Sequence, residues 1–203
     1  MKKLLTILVL AVFFVVLFSG CLILKDKAAL QNNLIRLHVI ANSDSDQDQA
    51  IKLQVKDAVV AYLNEATMGT TDVAQAKEIL SYHLPEIEAV ANAALKSAGS
   101  AHTATATITL EEYDTREYET FSLPAGVYQS LQIKIGEATG KNWWCVAFPA
   151  LCIPRTAKEF ADQAVSSGFD RELTESLMNE SKFNFRFYLL DCIGKLENMF
   201  RFG

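Results

Sequence analysis

The spacing of polar and apolar positions changes several times along this chain, and each change marks an element. Lys2 and Lys3 precede an apolar run from Leu4 to Phe18, which resumes at Leu22 after Ser19-Gly20-Cys21. A charged start followed by an apolar stretch is the order of an export signal. Leu4 to Leu24 is also long enough to cross a bilayer uncleaved, which takes about 20 residues. Residues 25–33 read as a short polar connector. From Leu34 to Ile40 the period falls to two, with Ile35, Leu37 and Val39 alternating with Arg36 and His38, and this predicts a strand. A polar stretch from Ala41 to Gln49 follows, and the period then lengthens to that of a helix over about Asp46 to Glu65. Ile51, Val55, Ala58, Val59, Tyr62 and Leu63 form its apolar stripe.

Asp44 with Gln47 and Asp46 with Gln49 have capping-box spacing, and acidic residues suit the positive end of a helix dipole. Thr71-Asp72 opens a second helical segment, which Pro85 ends or kinks near His83-Leu84. Helical spacing continues through Ile87, Val90, Ala91, Ala94 and Leu95, up to Gly99. His102 to Leu110 is the clearest strand, four threonines alternating with Ala104, Ala106, Ile108 and Leu110. Thr115 to Phe121 predicts a more polar neighbouring strand. Leu123-Pro124-Ala125-Gly126 is a turn. Residues 127–135 fit strand and helix equally. Asn142 to Phe148 predicts a buried strand, and the tail from Pro154 is helical in pattern, with Phe183, Phe187, Leu190, Ile193 and Leu196 on one stripe. The order of elements predicts one domain of mixed α/β (α+β) class over residues 34–200. Its mixed or antiparallel sheet is packed by helices, and residues 1–24 precede it as signal or anchor.

The ending Leu17-Phe18-Ser19-Gly20-Cys21 is similar to a bacterial lipobox, in which Cys21 carries lipid. Lipoprotein, uncleaved anchor and cleaved secretion are three readings of this segment. All three place the remainder outside the cytoplasm, with Lys2 and Lys3 inside. The formal net charge of -5 argues against nucleic acid as a partner, because phosphate binding needs a basic surface.

Candidate chemistry is sparse. The acidic stretch Asn42-Ser43-Asp44-Ser45-Asp46-Gln47-Asp48 lacks the glycine and the bidentate glutamate that an EF-hand loop needs at its sixth and twelfth positions. Helix capping explains the same residues. No Gly-x-Ser-x-Gly, His-Glu-x-x-His or phosphate loop occurs. His38, Asp44 and Cys145 could be grouped as a nucleophile set, but Cys145 follows two tryptophans instead of opening a helix, the position that activates a thiol. Cys145 and Cys152 flank Pro149. A disulfide closing that loop is the preferred reading, and two buried thiols are the alternative. Zinc lacks a second Cys or His pair. Cys192 is left over. Trp143 and Trp144 are adjacent, so on a regular strand they point to opposite sides and one of them faces the surface or a pocket.

Two segments carry a resemblance. One is Ile35-Arg36-Leu37-His38-Val39-Ile40-Ala41-Asn42-Ser43-Asp44-Ser45, with Asp48-Gln49 and Lys52 to Val59 after it. The other is Leu123-Pro124-Ala125-Gly126, Ile135-Gly136-Glu137-Ala138, Gly140 to Val146 and Phe148-Pro149-Ala150-Leu151-Cys152. Together they resemble the stage II sporulation protein R (SpoIIR) family of endospore-forming bacteria, over roughly residues 33–198. Phe185 to Leu190 is similar as well. The resemblance implies a non-enzymatic signalling protein without cofactor or metal. Such a protein is exported from the forespore into the space between the forespore and mother-cell membranes. There it activates the membrane-embedded aspartic protease SpoIIGA, which then removes the pro-sequence of sigma-E. Trp143, Trp144, Arg36 and His38 are contact candidates by residue type, with Asn42 and Asp44 shaping the turn between them. A cell-envelope hydrolase and a structural envelope lipoprotein are the rival readings.

Overall fold

The computed structural model describes residues 2–149, 156–178 and 185–201. Helix α1 (Lys2–Asn33) leads into strand β1 (Ile35–Ile40), followed by α2 (Asp46–Ala66), α3 (Val73–Tyr82) and α4 (Leu84–Ser97). Then come β2 (Ala104–Tyr113), the short pair β3 (Arg116–Glu117) and β4 (Ser122–Leu123), β5 (Gly126–Ile135) and β6 (Asn142–Phe148). Helices α5 (Ala157–Ser166), α6 (Arg171–Leu177) and α7 (Phe185–Arg201) close the described chain.

The main sheet has the order β2-β5-β1-β6. β1 runs parallel to β5 and antiparallel to β6, and β2 runs antiparallel to β5, so the sheet is mixed. The parallel pair needs a long crossover, which α2, α3, α4 and β2 supply. The ambiguous stretch 127–135 is a strand because it lies between β1 and β2, where both of its edges are hydrogen-bonded. The polar strand expected over Thr115 to Phe121 is different. Only Arg116–Glu117 of it is a strand, β3, and it pairs antiparallel with Ser122–Leu123, β4, outside the main sheet.

One face of the sheet carries Leu37, Val39, Ala106, Leu131 and Ile133, packed under Val55 and Val59 of α2, Leu80 of α3 and Ile87, Ala91 and Leu95 of α4. The other face carries Tyr113, Tyr128 and Val146, packed under Leu30 of α1, Phe121, Phe160 of α5, Leu173 of α6 and Leu190 of α7. Both faces are therefore covered, and β1 is buried at every position from Ile35 to Val39.

Residues 25–33, expected as a connector, are the last turns of α1. They are held by packing and charge: Leu30 is buried, Arg186 of α7 grips the buried Asp26 carboxylate at 2.6 Å through both Nε and Nη2, and Lys27 and Gln31 reach Glu197 at 2.9 and 2.8 Å. Among the described residues, no helix is long and apolar enough to cross a membrane. Many side chains of the Leu4–Phe18 run lie outside that description.

Candidate functional site

The turn after β1 and the turn between β5 and β6 are stitched together. Asn42 Oδ1 accepts from the Glu137 amide at 3.0 Å, and its backbone carbonyl accepts from the Thr139 hydroxyl at 2.9 Å. Asp44 Oδ1 accepts from the Lys141 amide at 2.6 Å, and the Gly140 amide donates to Ala41 O at 3.0 Å. Lys52 Nζ spans from Gln49 Oε1 to Lys141 O at 2.7 and 3.0 Å. This contact demands glycine twice. Gly136 has φ +55 and a Cβ there would meet Asn42 Oδ1 at 2.2 Å; one at Gly140 would meet the Ser43 carbonyl oxygen at 2.2 Å. The residues of the two recognisable sequence segments are thus each other's partners.

Helix α2 starts from the same turn. Its N-cap is Ser45, whose hydroxyl accepts from the Asp48 amide at 3.1 Å, in place of the Asp44–Gln47 or Asp46–Gln49 pairing that the spacing predicts. Asp44 is not free to cap because it serves the Lys141 amide. Asp48 instead accepts from Asn42 Nδ2 and Ser43 Oγ, and these two hydrogen bonds hold its carboxyl below the usual carboxylate range.

Behind this junction, β1 offers its polar side chains to an aromatic layer. Arg36 is fully buried. Its Nε donates to Cys145 O at 3.2 Å and its Nη2 to the Tyr118 hydroxyl at 2.8 Å, while the guanidinium lies 4.1 Å from the Tyr113 ring centroid and 5.2 Å from that of Tyr128. Aromatic faces thus take the place of water for this charge. Burial pushes both the Tyr113 and Tyr128 hydroxyls well above their ordinary range, with Arg36 opposing it. His38, also buried, pairs Nδ1 with Glu111 Oε1 at 2.7 Å and stacks on Trp144 with centroids 3.7 Å apart and planes at 21°. Burial pushes the Glu111 carboxyl up, but hydrogen bonds from His38 and Ser130 and the charge of His38 outweigh it and hold the group low.

The two tryptophans diverge as strand geometry requires. Trp144 is half-buried against His38, lies edge-on to Tyr113 at 4.8 Å and carries the Arg116 guanidinium 5.0 Å from its centroid. Trp143 points the other way, 37 % exposed, with Lys56 Nζ of α2 at 4.9 Å from its ring. Of the six contact candidates, Trp143 and Asp44 therefore lie at the surface, Asn42 and Trp144 are partly covered, and Arg36 and His38 are interior.

Cys145 is disulfide-bonded, while Cys21 and Cys192 are free. Cys152, the expected partner of Cys145, lies outside the described residues. Among the described residues no group of three His, Cys, Asp or Glu side chains could hold a metal ion. Sequence reasoning missed Glu111, Tyr113, Tyr118 and Ser130 as members of the inner layer. Ser130 is fully buried although Gln129 and Gln132 flank it in sequence, so its place inside could not be read from local pattern; its hydroxyl needs a partner there, and Tyr113 Oη supplies one at 2.7 Å.

The family model described as stage II sporulation protein R matches residues 31–158. The chain belongs to the stage II sporulation protein R family. The matched span runs from the end of α1 to the start of α5, and so includes both stitched turns, the Arg36 layer and both tryptophans. A curated relative, stage II sporulation protein R of Bacillus subtilis (strain 168), is 32% identical over 155 residues, covering 71% of this chain and 69% of the relative. No solved structure matches the chain.

Proposed function

We propose that this member of the stage II sporulation protein R family is an exported, non-enzymatic signal that activates the membrane-embedded aspartic protease SpoIIGA. It thereby triggers processing of pro-sigma-E in the mother cell. Family membership over the span that holds the stitched turns and the tryptophan strand carries this reading. The N-terminal order of Lys2-Lys3 and apolar run fits export from the forespore into the space between the two membranes. In the proposed role the N-terminal segment is the export signal or the anchor.

Activation of this kind is a population shift: the activator binds the active arrangement of the protease better than the inactive one. The chain's part is to hold one surface in shape. Arg36, His38 and Trp144 fix β6 from the inside, and Trp143 is presented outward beside Lys56 as an aromatic contact of the type that concentrates binding energy. A thiol hydrolase built on Cys145 would need a free sulfur there, and that sulfur is bonded.

The test is co-expression with SpoIIGA and pro-sigma-E in a non-sporulating bacterial host. Cleaved sigma-E should accumulate when this chain is present and not when it is omitted. Equal cleavage in both strains, or none in either, refutes the proposed role.

A further inference from the structure

One edge of the main sheet is closed along half its length and open along the other half. Strand β2 is that edge. Asn92 of α4 bonds both backbone groups of Ala104, with Nδ2 donating to Ala104 O at 3.0 Å and Oδ1 accepting from Ala104 N at 2.8 Å. Glu88 Oε2 accepts from the Ala106 amide at 3.1 Å. These contacts show that the even-numbered residues of β2 turn their N–H and C=O groups away from β5. The next such residues are Ile108, Leu110 and Glu112. Among the described residues nothing bonds their outward groups, apart from a 3.4 Å approach of the Thr109 hydroxyl to Leu110 O. An open row of ladder donors and acceptors is a template for another strand.

The open stretch also has side-chain features. Leu110 is 47% exposed. It lines a cavity of about 320 Å³ with Leu34, Ile35, Val73, Ala74 and Lys77, where the end of α1 meets the start of α3. Two residues further on, and so on the same face of β2, Glu112 has a buried Oε1 without a hydrogen-bond partner among the described residues. A strand laid along this edge would place one side chain beside Leu110 and the side chain two positions away beside Glu112, whose carboxylate has an unpaired oxygen.

We infer that the Ile108–Glu112 edge of β2 receives an extended segment of the partner protein by strand addition. That segment carries an apolar residue for the Leu110 cavity and a basic residue two positions away for Glu112. Main-chain hydrogen bonds give such a complex its affinity, and alternate side chains give it selectivity. A second copy of this chain fits less well. Antiparallel self-pairing centred on Leu110 sets the Glu111 residues of the two copies at diagonal positions and gives Glu112 only Ile108 opposite it, with no basic residue, in a chain whose formal net charge is already -5. The inference rests on the activator reading above, with the partner's exported portion as the source of the strand.

Leu110→Pro removes the outward amide, which the fold itself does not use, and proline is tolerated at such edge positions. In the co-expression assay with full-length chains, Leu110→Pro should lower sigma-E production at least tenfold while the melting temperature of the variant stays near wild type. Glu112→Lys, which keeps every backbone group, should lower it similarly and covers the case in which the proline variant fails to fold. If wild type triggers cleavage and both folded variants do so equally well, strand addition at this edge is wrong while the activator reading stands. If wild type triggers none, both fall. If wild type sediments as a dimer that Leu110→Pro dissociates, the edge belongs to a second copy, which overturns the inference.

Discussion

Asn42 and Gly136 meet so closely that the space allows no side chain on the second residue: a Cβ at Gly136 would stand 2.2 Å from Asn42 Oδ1. Gly136 also sits at φ +55, where L-residues are strained. Gly136→Ala should therefore cost about 2 kcal/mol or more, from the backbone penalty plus the clash. Asn42→Ala removes the two closest atoms, Oδ1 and Cγ, and leaves only Cβ at 3.2 Å, so the double variant should be less destabilised than the sum of the two single ones. Urea midpoints of the four proteins measure this directly. Strict additivity would mean that the two residues do not share the contact.

The tryptophans should separate stability from contact. Trp144→Ala strips the stacking surface from His38 and the edge contact with Tyr113 and should cost about 3 kcal/mol. Trp143→Ala removes an exposed ring and should change stability by less than about 1 kcal/mol, yet lower sigma-E processing in the co-expression assay. Thermal unfolding and processing, measured on both variants, decide the matter. Full activity of folded Trp143→Ala would remove that residue from the contact surface.

Arg186 should matter more than a surface arginine. Its partner Asp26 is 2 % exposed, so Arg186→Ala leaves a buried carboxylate without its main counter-charge. Removing one member of a buried pair costs about 3 kcal/mol. The loss should be local to the α1–α7 contact, read as faster hydrogen exchange in residues 25–33 than in β5. Replacing both residues with apolar ones should recover much of the loss.

Acid should destabilise the protein through identified groups. Glu111, Asp48 and Asp191 all have carboxyls held below their ordinary range in the fold. For Asp191, burial raises the value, but the Ala125 amide and the hydrogen bonds from Lys195 and Thr115 lower it further. A group depressed in the folded state contributes stability that is complete above its unfolded pKa, about 4 for a carboxyl. That contribution is lost as pH falls through the lower folded value. Urea midpoints should hold steady from pH 7 to 5 and decline below about pH 4. Glu111→Gln should make the decline shallower. An unchanged slope would mean that Glu111 titrates alike in both states.

Much of this architecture could be read from the sequence because the alternation was strong. The Thr–Ala alternation placed β2, the stripe from Ile51 to Leu63 placed α2, and the divergence of Trp143 and Trp144 follows from strand geometry alone. What could not be read came from the third layer. Arg36 and His38 look like outward polar positions beside Ile35, Leu37 and Val39, and they would be so on a sheet covered on one face only. Helices α5, α6 and α7 and the β3–β4 pair cover the second face, and the tyrosines that make Arg36 tolerable there come from positions 113, 118 and 128. Likewise Ser45 caps α2 because Asp44 and Asn42 are committed to amides near residue 140, a link between distant parts of the chain that local spacing cannot reveal.

In the proposed role this chain acts from outside the cytoplasm as an activator. The most direct measurement compares two forms of it in the co-expression host with SpoIIGA and pro-sigma-E: the full chain, and one lacking residues 2–21 so that it stays in the cytoplasm. Cleaved sigma-E should accumulate with the full chain and stay at background with the retained form at equal folded amounts. Equal cleavage with both forms would contradict that role.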